Sequence, residues 1–503
     1  MTAAPTTAEN ALGADAAVDV PGSPEAVEQR LTPRDKLVIG ILLVSTFVVI
    51  LNETIMAVAL PRLMDSLQVS ASAVQWLTTA FLITMAVVIP VTGFLMQRIQ
   101  TRPIFITAMV LFNAGTLICA LAPGLAILIV GRIVQASGTA IMLPLLMTTV
   151  MTLVPPAMRG RVMGNISIVI SVAPALGPTL SGLILHYLPW RFMFIVMLPI
   201  ALAATLYGAR RIANVGVLRY APLDVASVIL SALGFGGIVY GLSSFGEASG
   251  EPGPVPGWLV LVVGAVAMAV FILRQVRLQR LDRALLDLRT FASGNFTIAI
   301  AMMAVCMASL FGTIILLPIY LQYVIGIDTL QTGLLLLPGG LVMGLMAPRV
   351  GRLYDRYGTR PLIIPGAIVV SAVMWALTMV GEDTSVTNIL IGHIAISIGL
   401  GLVFTPLFTA SLSSVPPELY SHGSAIGGVV PQIAGAAGVA LFVALMSVRQ
   451  ASLAAEGLPP VAALTGGIQL AFLVGAILSL LAVAASLFVR KPEEQPGGQG
   501  MHH

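Results

Sequence analysis

Charge is what this 503-residue sequence has least of. Asp, Glu, Lys and Arg together make up 9% of it, against about 25% in an ordinary soluble domain, which excludes a globule with a conventional water-facing surface. Cysteine is scarcer still. Cys119 and Cys306 stand singly in apolar stretches, which excludes a disulfide framework and a thiolate metal site and leaves both as packing residues. No Gly-x-x-x-x-Gly-Lys-Ser/Thr loop occurs, so a nucleotide would find no phosphate cradle. The apolar runs contain no paired acids, no zinc-ligand spacing and no Ser/His/Asp constellation, and an intramembrane enzyme is not expected. The first 34 residues lack the basic start and apolar core of a signal peptide. Rich in Ala, Pro, Thr and acids, they read as a disordered cytoplasmic tail, as do residues 491-503 at the other end.

What the chain has instead is apolar length. It is 58% hydrophobic with a mean hydropathy of +1.00, and about 20 such residues cross a bilayer. Fourteen runs qualify, near 37-60, 71-94, 103-122, 125-152, 161-186, 190-209, 224-243, 257-275, 294-321, 330-347, 361-380, 387-412, 423-447 and 466-489. The basic residues fall on alternate connections: Arg34 and Lys36, Arg98 and Arg102, Arg159 and Arg161, Arg210 to Arg219, Arg274 to Arg289, Arg349 to Arg360, then Arg490 and Lys491. By the positive-inside rule these connections, and both termini, are expected in the cytoplasm. The basic balance is therefore topological, and nucleic acid is not an expected partner.

An internal repeat is visible by eye. "PVTGFLMQRIQTRPIFI" at 90-106 and "PRVGRLYDRYGTRPLII" at 348-364 share eight of seventeen residues at an offset of 258. Two related halves of six spans follow, with the runs 224-243 and 257-275 inserted between them. The expected domains are a tail at 1-34, an N-terminal six-helix bundle at 35-212, two inserted helices and a linker at 213-290, a C-terminal six-helix bundle at 291-490 and the tail at 491-503. Repeated bundles around a central site are a common build for secondary transporters.

Five local stretches carrying four motifs make a family resemblance: "LNETIMAVALP" around Glu53, the two repeated loops, "GRIVQASGTA" at 131-140 and "APALGPTLSG" at 173-182. In their order and spans they resemble the major facilitator superfamily, in particular its fourteen-span drug:proton antiporters of the lincomycin-resistance type. The resemblance implies an all-α integral membrane protein of the major facilitator fold. It also implies conformational motifs at Gly93, Arg98 and Arg102, at Gly351, Asp355, Arg356 and Arg360, and at Gly177 and Pro178. Two departures matter. The first-span acid, commonly Asp in the family, is Glu53, and the first loop has Gln97 and Gln100 where the family has Asp and Gly. An acid in this loop could bind a neighbouring helix N-terminus, where the macrodipole is positive. Asp355 is suited to that role and Gln97 only weakly.

Glu53 is the one acid well inside a proposed span, where a charge costs about 2.5 to 3.5 kcal/mol on insertion scales and usually marks a pathway. It is the expected proton-coupling residue, with Arg132 as its cationic neighbour; the bland alternatives are a structural glutamate and an arginine that hydrogen-bonds carbonyls. Gln135 shares the Arg132 face at i+3. Asn52, Trp76, Asn113, Tyr320, Gln322, Tyr323 and Gln432 are candidate lining residues of a substrate cavity, though Trp and Tyr also form interfacial belts. His393 is the alternative proton carrier. These readings converge on a monomeric, proton-coupled exporter of lipophilic, drug-like and in part cationic small molecules in a bacterial cytoplasmic membrane, driven by the proton gradient with no cofactor and no metal. A lipid or metabolite transporter on the same scaffold is the alternative.

Overall fold

The computed structural model describes residues 31-69, 71-215, 224-246, 256-327 and 329-490; both expected tails lie almost wholly outside them. Among the described residues there is no strand, and fourteen long helices follow one another: α1 Pro33–Leu67, α2 Ala71–Arg98, α3 Thr101–Leu121, α4 Leu125–Leu153, α5 Arg159–Tyr187, α6 Phe192–Arg211, α7 Val225–Gly246, α8 Gly257–Leu278, α9 Gly294–Tyr323, α10 Thr329–Tyr357, α11 Arg360–Leu377, α12 Val386–Ser413, α13 Tyr420–Ala455 and α14 Pro460–Ser486. Thirteen of them are long and apolar enough over their described residues to cross a bilayer. The other, α5, is 29 residues long.

The helix starts obey local chemistry. Thr32 accepts the Asp35 amide at 3.1 Å with Pro33 at the first helical position, and Ser293 caps α9 in the same way. The interiors break soluble rules. Pro90, Pro144, Pro199, Pro318, Pro338, Pro348, Pro365, Pro406 and Pro431 all lie inside helices, where neighbouring helices can re-satisfy the freed carbonyls. The outer surface is apolar too: Val262, Val266, Val270 and Leu273 of α8 are all about half exposed or more, as suits a helix whose solvent is hydrocarbon.

The packing repeats as the sequence does. In the first half α1 packs on α5 and α6, α2 on α4, and α3 on α4 and α6; in the second, α9 packs on α13 and α14, α10 on α12, and α11 on α12 and α14. Contacts between halves are exchanged by the same symmetry. The α5–α10 junction answers α2–α13, and α5–α12 answers α4–α13. The inserted pair stands outside this scheme: α7 lies along both α2 and α13, while α8 packs chiefly on α7. At their arginine-bearing ends Arg274 clasps Asp224 through Nε at 2.7 Å and Nη2 at 2.8 Å. These bonds, seconded by the Ser227 hydroxyl, hold the Asp224 carboxyl down at about 2. Gln275 then ties down the linker by accepting the amides of Leu285 and Leu286.

Candidate functional site

Two constellations emerge, one inside the first bundle and one at the arginine-rich end. The first is built on Arg132, whose side chain is 1% exposed. Its guanidinium lies over the Phe81 ring of α2, 4.0 Å from the centroid, and Nη1 donates to Gln135 Oε1 at 2.6 Å. The Gln135 amide donates on to Thr116 Oγ1 of α3 at 2.8 Å, and Thr116 donates to the Phe112 carbonyl. A buried arginine needs partners for its donors, and this relay supplies some. Arg132 Nε has none.

Glu53 comes to this group from α1. Arg132 and Glu53 act on one another through space, but no nitrogen–oxygen pair between them falls within 4.0 Å. The carboxylate is half-buried and forms no hydrogen bond or ion pair among the described residues. Its neighbour Asn52 is 2% exposed, with Oδ1 unpartnered among the described residues. On the other side of Glu53, Thr54 packs against Gly177 of α5: a Cβ at Gly177 would collide with Thr54 Oγ1 and Cβ. Glycine there lets α5 approach α1 beside the acid. The side chain of Pro178 lies outside the described residues.

The second constellation closes the two halves against each other. Asp355, on α10, accepts the amides of Gly160 at 2.7 Å and Arg161 at 2.8 Å. These are orphan donors in the first turn of α5, so the carboxylate sits at the positive end of that helix. Gly351 and Gly160 meet backbone to backbone, with no room for a Cβ on either. At the repeat-related junction Gly93 of α2 lies against Ser421 and Ala425 of α13. There Gln97 Nε2 is 2.8 Å from His422 Nε2 and 3.5 Å from the Glu418 carbonyl oxygen. Between the two junctions Arg159 donates to the Tyr420 hydroxyl at 3.1 Å, Thr405 to Ser167 at 2.8 Å, and Thr148 and Ser424 share a hydrogen bond of 2.6 Å. All these contacts lie on the arginine-rich side of the bundle. The void left among Leu143, Met147, Phe408, Ser424 and Gly428 is about 10 Å³, room for one water at most. This end is shut.

The other sequence-predicted residues are dispersed. Asn113 donates to Thr205 of α6 at 2.8 Å, facing that helix. Trp76 is 40% exposed and stacks on Tyr240 of the inserted α7, centroids 5.7 Å apart. Tyr320 is buried and donates to the Gly381 carbonyl at 2.6 Å, tying α9 to the α11–α12 connection. Tyr323 is 70% exposed; Gln322 and Gln432 are half-buried. Arg98 lies over the Phe94 ring, Arg356 over the Tyr357 ring, and Arg102 and Arg360 are exposed at the starts of α3 and α11. His393 Nε2 is 3.0 Å from the Leu336 carbonyl oxygen, a bond that joins α12 to α10. Phe81, Thr116, Thr54 and His422 were not singled out in the sequence. Each meets its partner over 19 to 325 residues, as with Thr116 and Gln135 or His422 and Gln97, and no local spacing announces such a pair.

Comparison with known proteins follows the same lines. The Major Facilitator Superfamily profile matches residues 42–439. The chain is 40% identical over 459 residues to the lincomycin resistance protein LmrB of Listeria monocytogenes, covering 90% of this chain and 96% of that one. It is 37% identical to the Bacillus subtilis protein of the same name, over 90% and 95% of the two chains. A multidrug resistance protein B homolog of Mycobacterium tuberculosis is 28% identical over 81% of this chain and 75% of its own. In three dimensions the fold resembles the human organic anion transporter MFSD10, with a TM-score of 0.65 at 15% identity, covering 90% and 100% of the chains. A multi-pass, all-helical membrane protein with this repeat, this packing and these relatives is a transporter rather than an enzyme: the chain belongs to the Major Facilitator Superfamily.

Proposed function

We propose that the protein is a proton-coupled antiporter that exports lipophilic drugs or similar small molecules, cations among them, across a bacterial cytoplasmic membrane by alternating access. The observation that carries this reading is the Glu53 carboxylate, which has no hydrogen-bond or ion-pair partner among the described residues and lies within Coulombic reach of Arg132 without bonding to it. A structural ion pair would close to bonding distance. A carboxylate within Coulombic reach of a fixed cation but not bonded to it is suited to exchanging its partner, a proton in one state and a cationic substrate or water in another. The names of the relatives, lincomycin and multidrug resistance, support the substrate class. The arginine-rich, shut end is assigned to the cytoplasm by the positive-inside rule, so the conformation described is closed on that side, and on this reading Glu53 loads its proton from outside. Asn52, Gln135, Gln322 and Gln432 remain the polar candidates for the cavity, and the monomer is taken as the working unit.

Drug uptake into acid-inside proteoliposomes, with protein oriented as in everted vesicles, tests the reading. Export driven by the pH gradient is expected in the wild type and lost in Glu53→Gln, with binding of neutral substrates retained and partial activity in Glu53→Asp. Undiminished gradient-driven transport in Glu53→Gln would overturn it.

A further inference from the structure

The two junctions that shut the arginine-rich end are equivalent by the repeat and different in chemistry. Residues 93 and 97 of α2 correspond at the 258-residue offset to 351 and 355 of α10. In one junction a carboxylate takes two backbone amides. In the other a carboxamide nitrogen faces an imidazole nitrogen at 2.8 Å. With the Gln97 amide nitrogen so placed, the bond needs His422 Nε2 as its acceptor, which is the arrangement of a neutral ring carrying its hydrogen on Nδ1. The ring is 3% exposed, and Nδ1 has no partner among the described residues.

A second proton on this ring sets donor against donor. Gln97 must then turn its amide to offer Oε1, and a full positive charge arrives within the first turn of α13, the positive end of the helix. The surroundings offer little compensation. Asp287 and Arg289 of the linker act on the ring, but both Asp287 oxygens are already bonded to Arg289 at 2.6 to 3.1 Å. From α2 the charged neighbour is Arg98, held over Phe94. From the short 3-10 turn before α13 it is the exposed Glu418, and from α5 it is Arg159 on Tyr420. Helices α9 and α12 present Phe296 and Leu412 to the adjoining Gly423.

We propose that His422 with Gln97 is a second protonation site, separate from Glu53, that governs the gate at the arginine-rich end. With the ring neutral the α2–α13 junction is shut; a proton on this buried ring favours the open state, where water solvates the charge, while the Asp355 junction is unchanged. One half of the gate is thus titratable and the other fixed. The gate opens more readily as the compartment beside it acidifies. This inference rests on the alternating-access reading but not on drug export or on Glu53 as proton carrier.

The test is a distance measurement by pulsed electron resonance between spin labels at the exposed positions 211 and 488, at the ends of α6 and α14, with Cys119 and Cys306 replaced by Ala. The protein is held in lipid nanodiscs without drug from pH 8 to pH 5.5. The open population is expected to rise at least fivefold on acidification, with one midpoint, and equally in Glu53→Gln. In His422→Gln the pH dependence should vanish. Gln97→Asp supplies an acceptor for the protonated ring and should move the response to lower open populations at pH 6, while Asp355→Asn should raise the open population at every pH and keep the midpoint. A response that persists in His422→Gln, or is lost in Glu53→Gln with His422 intact, would overturn the proposal. If His422→Gln does not fold, an unaltered titration in Gln97→Asp overturns it equally.

Discussion

Replacing Asp355 by Asn leaves shape almost untouched and removes one charge from the fixed half of the gate. The native carboxylate accepts two amides at 2.7 and 2.8 Å, the short lengths of charge-assisted bonds. Asparagine can accept one of them through Oδ1, but its amide nitrogen then faces the other N–H. A bond to a charged group contributes about 1.5 to 3 kcal/mol, and an anion at a helix N-terminus adds about 0.3 to 1. Arg161 is exposed, and water can take up its freed amide, so the lower part of the combined range applies: about 2 kcal/mol, or roughly 25-fold in the open-to-shut ratio at 1.4 kcal/mol per factor of ten. Ser167 reports this directly, because it is 9% exposed and hydrogen-bonded to Thr405 across the halves. A cysteine placed there in a background lacking Cys119 and Cys306 should react with an impermeant thiol reagent in everted vesicles at least tenfold faster in Asp355→Asn than with Asp355 intact. Gln97→Asn weakens only a neutral contact of about 1 kcal/mol and should give no more than about fivefold. Equal rates in the two variants, or a change below twofold in Asp355→Asn, would refute the asymmetric latch.

Gly177→Ala places a methyl group on Thr54; overpacking of this kind costs about 1 to 3 kcal/mol, so lower melting temperature and slower transport are expected, both partly restored by Thr54→Ala. The Asp224 clasp should act over a defined pH window. Its carboxyl is depressed to about 2 by the Arg274 bonds, so the stability it adds is present above the unfolded value near 3.9 and disappears as pH falls through about 2. The melting difference between wild type and Asp224→Asn in detergent should accordingly be constant from pH 7 to pH 5 and vanish near pH 2; a difference that already disappears by pH 5 would contradict the assignment. For topology, a cysteine at the exposed Asp383 should be labelled in whole cells and one at the exposed Arg280 only in everted vesicles; the reverse pattern would invert the orientation.

Much of this architecture was legible because a bilayer imposes simple rules on a chain. Apolar length gives the spans, and the repeat at 90-106 and 348-364 gives two halves whose packing the structure duplicates. The expectation that Asp355 could bind a helix N-terminus named the right atoms to look for; that the helix is α5 could not be read, since Gly160 is 195 residues away. For Gln97 the sequence showed only a missing charge. Its histidine partner comes from the opposite half, and a neutral residue carries no signature of what it will meet. Polar residues inside apolar runs were harder for the same reason. Asn113 and Tyr320 are as polar as cavity residues, yet each donates to a neighbouring element, and composition does not distinguish the two uses.

The position of α7 has a consequence for how the two halves face the lipid. The two six-helix bundles meet along two repeat-related junctions, one of α2 with α13 and one of α5 with α10. The inserted helix runs down the first and closes it to acyl chains, with Trp76 and Tyr240 stacked across that contact. No described element outside the two bundles covers the second. The surface where the two halves meet is therefore one-sided: α5 and α10 are left open on their outer flank, while α2 and α13 are reached only past α7.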